Sequence, residues 1–257
     1  MYPKLFGVHF LNTYGLMIAI GIIACYFILD KLCKKFNIDE KFTLFIEVNG
    51  VASIVVGFVF AALFQSLYEF IENPSEGFRI SGNITFFGGL IGGVLTFLII
   101  YFIFRKKFKN KLLDVLSIIP PCIVIAHAFG RVGCFCAGCC YGKATDTVFG
   151  VKFPGLDYTV FPTNLYEAIF LFVLFAVLFI LLIKVKFKYN LPLYCVCYGV
   201  FRFFIEYLRG DKRGEFVAGV SPSQFWSIII VVVGVALWVG LYLKHKKELK
   251  QPNNPIG

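Results

Sequence analysis

The chain has 257 residues, of which 59% are hydrophobic and 16% charged, and its formal net charge is +10 at neutral pH. Soluble globular domains carry about 25% charged and 45–50% apolar residues, so this composition excludes an ordinary soluble domain. The excess of positive charge does not imply nucleic acid, because the lysines stand in short blocks beside apolar runs, where lipid headgroups are the fitting partner.

Seven apolar stretches reach the roughly 17–25 residues that a membrane-spanning helix needs. In chain order they are 13–29, 44–70, 84–104, 112–129, 163–183, 191–208 and 221–243. The first has no basic leader and no small-residue cleavage site, so it is read as a span and not as a signal peptide. The expected fold is therefore an all-α integral membrane protein of about seven transmembrane helices, forming one polytopic domain over 1–257. No internal repeat is visible, and the tail 251–257 is expected to fray.

The loops give the orientation. Lys31, Lys34, Lys35 and Lys41 follow the first stretch, and Arg105, Lys106, Lys107, Lys109 and Lys111 follow the third. Lys184, Lys186 and Lys188 follow the fifth, and Lys244, Lys246, Lys247 and Lys250 the seventh. Only Lys4, Arg79, Arg131, Lys143, Lys152, Arg209, Lys212 and Arg213 fall on the other side, with Arg202 inside the sixth stretch. The positive-inside rule then predicts an external N-terminus and a cytoplasmic C-terminus. Segments 71–83, 130–162 and 209–220 would share the outer face and form the active-site side.

Four constellations fall on that side. The first is Gly130-Arg131 with glycines 133, 138 and 142. Glycine permits tight turns and close approach of a ligand, and arginine offers a planar donor fork suited to a phosphodiester. A snorkelling arginine on a compact turn is the plain alternative. The second is Arg202, Glu206 and Arg209, whose spacings of four and three place them on one helical face. Glu206 would neutralise one arginine and leave net positive charge for an anion, whereas a self-satisfied triad would serve packing alone. Three charges in lipid are costly, which favours function.

The third is Thr85-Phe86-Phe87-Gly88-Gly89-Leu90-Ile91-Gly92-Gly93. Its small residues suit close helix packing, and a glycine pair at a helix start also exposes backbone N–H groups to a phosphate. The fourth is Phe161-Pro162-Thr163-Asn164-Leu165-Tyr166-Glu167, where Thr163 is expected to cap a helix and Glu167 to sit favourably near its first turn.

Taken in order, these segments resemble the bacterial prolipoprotein diacylglyceryl transferases. Tyr14-Gly15-Leu16-Met17 fits that family's Tyr-Gly-Leu-Met, and Phe87-Gly88-Gly89-Leu90-Ile91-Gly92 fits its His-Gly-Gly-Leu-Ile-Gly. Residues 130–142 match the family signature in length, with Gly130, Arg131, Gly133, Phe135, Gly138 and Gly142 in place. Pro162-Thr163-Asn164-Leu165-Tyr166-Glu167 fits Pro-Ser-Gln-Leu-Tyr-Glu, and Tyr198-Gly199-Val200-Phe201-Arg202 with Glu206 and Arg209 fits the sixth span.

The resemblance implies transfer of diacylglycerol from phosphatidylglycerol to the lipobox cysteine of a prolipoprotein signal peptide, at the outer leaflet of the cytoplasmic membrane. It implies a membrane-embedded monomer with no nucleic-acid partner, no cofactor and no metal. Arg131, Arg202, Glu206 and Cys139 would be catalytic. Tyr14, Gly88, Gly89, Gly133, Cys134, Gly142, Tyr166 and Arg209 would bind substrate. His127, one turn before Arg131, has no role in the family pattern and is read as a packed neutral histidine. A paralogue with another acceptor, or a non-catalytic lipid-binding protein of the same fold, remains as the alternative.

The departures from the family are specific. Phe87 and Phe161 replace histidines, Cys134 and Ala137 stand where the signature has Asn, and Cys139 stands where it has Glu. The arginine usual in span two is missing from Gly57-Phe-Val-Phe-Ala-Ala-Leu-Phe64. The Cys134, Cys136, Cys139 and Cys140 cluster has four open readings: a bracing disulfide, small-residue packing, a reactive thiol and a soft-metal site. The last is ranked lowest because no histidine or carboxylate stands at ligand spacing. Adjacent Cys139 and Cys140 are not expected to bridge each other.

Overall fold

The computed structural model describes residues 12–80, 85–210 and 219–250. The expectations for Lys4, 81–83, Lys212, Arg213 and the tail 251–257 lie outside the described residues. The helices are α1 (Thr13–Lys35), α2 (Glu40–Glu72), α3 (Phe86–Phe104), a short α4 (Leu112–Val115), α5 (Ile119–Ala137), α6 (Thr163–Ile180), α7 (Asn190–Ile205) and α8 (Pro222–Lys250). Among the described residues, seven helical segments are long and apolar enough to cross a membrane. Their outward faces are apolar too, with Phe27 56%, Val51 60% and Ile103 66% exposed. Such surfaces belong in hydrocarbon and not in water.

The fourth span starts later than the apolar pattern suggests. It begins at Ile119 rather than near 112, because Pro120 and Pro121 occupy its first turn, where a missing N–H costs nothing. The shift carries the helix on to Ala137, so Arg131, Gly133 and Cys134 sit inside α5 and not in a following loop.

The chain forms two compact units, one of Met1–Leu29 with Val115–Gly257 and the other of Asp30–Asp114. In the second, α2 and α3 pack through glycines. A Cβ on Gly57 would meet the Gly89 carbonyl at 2.9 Å, and one on Gly88 would meet Phe64 Cβ at 2.6 Å. Asn49 Nδ2 donates to the Phe97 carbonyl across the same contact. Tight packing of α2 on α3 is therefore what Gly88 and Gly89 do.

In the first unit, α5, α6 and α7 alternate in direction around Val124, Ala128, Leu171, Leu174, Leu178 and Tyr198. Buried Asn190 ties the start of α7 to the Ser117 and Leu178 carbonyls. The C-terminal half of α7 lies beside the first turn of α8, where Arg202 meets Ser223. The polar residues of this unit therefore gather at one end, and the block from Lys184 to Lys188 lies at the other. A two-stranded ribbon, β1 (Val151–Lys152) with β2 (Thr159–Val160), joins α5 to α6.

Candidate active site

Glu167 is the hub. It lies just past the first turn of α6 and is 1% exposed. Its Oε1 accepts a hydrogen bond from the Tyr198 hydroxyl at 2.9 Å. Arg131 Nε approaches the same oxygen to 3.1 Å, and His127 Nε2 to 3.8 Å. His127 and Arg131 stand four residues apart on α5, which puts both on the face that α6 covers. The His127 ring meets the Tyr198 ring edge-on at 5.1 Å. The contact of Arg131 with Glu167 is one of charge: its Nε–H is buried and has no hydrogen-bond partner among the described residues.

A second ion pair stands on α7. Arg202 Nη2 lies 2.9 Å from Glu206 Oε2 and donates to Ser223 Oγ at 3.1 Å. The Ser221 hydroxyl donates to Glu206 Oε1. Arg202 Nη1 is buried without a hydrogen-bond partner among the described residues. The charge of Arg202 also reaches Glu167 and His127, so the two pairs form one electrostatic group. Two carboxylates thus balance two guanidiniums, and each guanidinium keeps a buried N–H unspent.

Arg209 does not share the helical face of Arg202 and Glu206. The backbone tightens into a 3-10 turn at Glu206–Leu208 and is extended at Arg209, which is buried and bridges Gly142. Gly142 is needed for that crossing: its N–H donates to the Phe161 carbonyl, and a Cβ would fall on the Leu208 carbonyl oxygen. Gly133 has a milder version of this role, since a Cβ there would meet Tyr14 Cδ2 at 3.1 Å where α1 crosses α5. Tyr14 itself is 37% exposed at the start of α1. The Tyr166 hydroxyl donates to the Phe149 carbonyl.

The expected cap at Thr163 is absent. Its hydroxyl donates to the Cys140 carbonyl, and Asn164 Nδ2 donates to the Cys139 carbonyl, so both side chains hold the cysteine turn instead. All nine cysteines are free thiols, and no brace is formed. Cys134, Cys139 and Cys140 nevertheless converge, with sulfurs within 4.8 Å of one another, and Cys136 stands apart. Hydrogen bonds from Cys134 and Cys139 hold the Cys140 thiol well below its ordinary range, and Arg209 and Arg131 act in the same sense.

The family model described as prolipoprotein diacylglyceryl transferase matches residues 3–240. The chain belongs to that family. A relative from Clostridium tetani named phosphatidylglycerol–prolipoprotein diacylglyceryl transferase is 33% identical over 240 residues, covering 90% of this chain and 93% of its own. A second such transferase, from Clostridium perfringens, is 33% identical over 258 residues, with 95% and 96% covered. A third, from Finegoldia magna, is 32% identical over 253 residues, with 96% and 95% covered.

Within this transferase family member, the structure joins Arg131, Cys134, Cys139, Gly142 and Arg209 at one end of the first unit, together with the Arg202–Glu206 pair. Gly88 and Gly89 belong to the second unit. Sequence reasoning gave no site role to Glu167, His127 or Tyr198, which the structure places around Arg131. The signals were present: His127 precedes Arg131 by four, and Tyr198, Arg202 and Glu206 form an unbroken row at intervals of four.

Proposed function

We propose that this chain moves the diacylglyceryl group of phosphatidylglycerol to the lipobox cysteine of a prolipoprotein, at the outer leaflet of a bacterial cytoplasmic membrane and as a monomer. The relatives' names supply the donor and the acceptor class. The lysine blocks, all of which follow odd-numbered spans, support an outer position for the polar end of the first unit.

One observation carries the reading. Arg131 Nε and Arg202 Nη1 are buried N–H donors without hydrogen-bond partners among the described residues, at the polar end of the same unit. Buried polar groups are nearly always satisfied, so a pair of unspent guanidinium donors supports an anionic acceptor at this end of the unit. A lipid phosphodiester fits both the charge and the donor geometry.

In this reaction the acceptor thiol loses its proton and its sulfur attacks the glycerol carbon next to the phosphate. The C–O bond breaks, its electron pair leaves with glycerol phosphate, and the proton ends on that departing phosphate. Arg131 and Arg202 stabilise the charge that builds there, which counts for more in a water-poor site. Glu206 and Glu167 hold the two guanidiniums in position. Tyr14, half exposed at the start of α1, is suited to the headgroup.

The test uses the purified protein in phosphatidylglycerol vesicles with a peptide bearing a lipobox cysteine. The peptide should gain one diacylglyceryl group for each glycerol phosphate released. Lipid transfer to a different thiol acceptor alone would move the chain to the paralogue reading. Phosphatidylglycerol binding with no transfer to any thiol would leave a non-catalytic lipid-binding protein.

A further inference from the structure

We infer that Cys134, Cys139 and Cys140 form a three-thiolate site for a soft d10 cation, zinc(II) or copper(I). Three features of the backbone build it. At the end of α5 the Cys139 N–H bonds back to the Cys134 carbonyl and the Gly138 N–H to the Phe135 carbonyl. Gly138 between them is left-handed, with φ 74° and ψ 30°. This double closure is the Schellman arrangement, which brings the side chains five residues apart across it into contact. Here those two side chains are Cys134 and Cys139.

The third thiol is brought in by strain. Cys140 has φ 59°, a left-handed conformation that non-glycine residues rarely adopt. Thr163 and Asn164 pin the carbonyls of Cys140 and Cys139 from the first turn of α6. An unusual backbone held by two dedicated hydrogen bonds marks a turn whose side-chain direction matters. Packing alone would be met by an ordinary C-terminal turn.

The sulfurs are already near ligand geometry. They lie within 4.8 Å of one another. Three sulfurs bound to one ion at about 2.3 Å stand about 3.8–4.0 Å apart, so closure needs a shift of about 1 Å or less. Cys134 is buried, Cys140 half-buried and Cys139 exposed, which leaves one open side for metal entry. The positive charges of Arg209 and Arg131 both reach Cys140. Thiolate ligands select zinc and copper(I) over harder cations. The two departures from the family at 134 and 139 fall on sulfurs of the same cluster, while Cys136 lies outside it and provides an internal control.

The experiment uses the full chain, purified in detergent under reductant. It is loaded with zinc(II), or with copper(I) without oxygen, and freed of loose metal before elemental analysis. About one equivalent of one cation should remain bound, and cobalt(II) in its place should give a thiolate charge-transfer band. Cys139→Ala, at an exposed position where folding is not at stake, should lower affinity at least about tenfold, and Cys136→Ala should not. Cys134→Ser and Cys140→Ser should match Cys139→Ala where they elute as folded protein. Retention of less than about a tenth of an equivalent of both cations would overturn the site, as would equal loss in Cys136→Ala. A Cys134–Cys139 or Cys134–Cys140 disulfide in untreated membranes would overturn it as well. Metal retention is read without lipid or peptide, so this outcome is separate from that of the transfer assay.

Discussion

Arg131 and Glu167 face each other across 3.1 Å, and the carboxylate oxygen between them also takes the Tyr198 hydroxyl. Because the arginine contact is one of charge and not of hydrogen bonding, the guanidinium is held in place while its Nε–H stays unspent. The carboxylate therefore sets where the positive charge stands without using up the donor that an anion would need.

Glu167→Gln keeps the shape and the Tyr198 contact but removes the counter-charge. Deleting one partner of a buried pair costs about 3–5 kcal/mol in soluble proteins. Thermal unfolding in detergent should shift down, and transfer should fall by tenfold or more. Glu167→Asp should recover part of both. Wild-type melting and turnover in the Gln variant would show that the pair carries no weight.

Arg131→Lys and Arg202→Lys should each cost about 10²–10³ in turnover, the usual loss for one electrostatic donor. An ammonium keeps the charge but lacks the planar fork. Near-normal turnover in both variants would mean that these residues only pack or snorkel.

Glycines of one signature should behave differently. A Cβ at Gly130 meets nothing within 4 Å, whereas one at Gly142 falls on the Leu208 carbonyl. Gly130→Ala, inside α5, should be neutral or stabilising by up to about 1 kcal/mol. Gly142→Ala should destabilise by about 1–3 kcal/mol, since backbone and not a flexible side chain must give way. Comparing the two melting temperatures checks this directly, and equal values would contradict the crossing at Gly142.

A reporter fused after Lys250 should behave as cytoplasmic, and one inserted near Asp157 as external. The opposite pattern would turn the Arg131–Glu167 end toward the cytoplasm and remove the outer-leaflet reading.

The seven spans and the Arg202–Glu206 pair were legible because both are periodic: long apolar runs, and a charge repeat of four. The start of α5 was not, since Pro120-Pro121 in an apolar run looks like interior sequence until the first turn is seen to accommodate it. Arg209 was misplaced because spacing assumes an unbroken helix, and the backbone tightens at Glu206. The Arg131–Glu167 pair joins residues 36 positions apart in the chain and has no local signature. Sequence spacing likewise left the cysteines with four readings and did not show which of them meet. The left-handed backbone at Gly138 and Cys140 makes three of them neighbours.

Thr163 and Asn164 give their side chains to the Cys140 and Cys139 carbonyls, and α6 starts after Pro162 without a side-chain cap of its own. The cysteine turn and the first turn of α6 are therefore a single cooperative unit. The two should open together, and amide protons in both should exchange with one common opening free energy. Glu167 follows directly after that first turn on the same helix. A fluctuation beginning among the thiols is thereby felt at the Arg131 counter-ion within the same opening event.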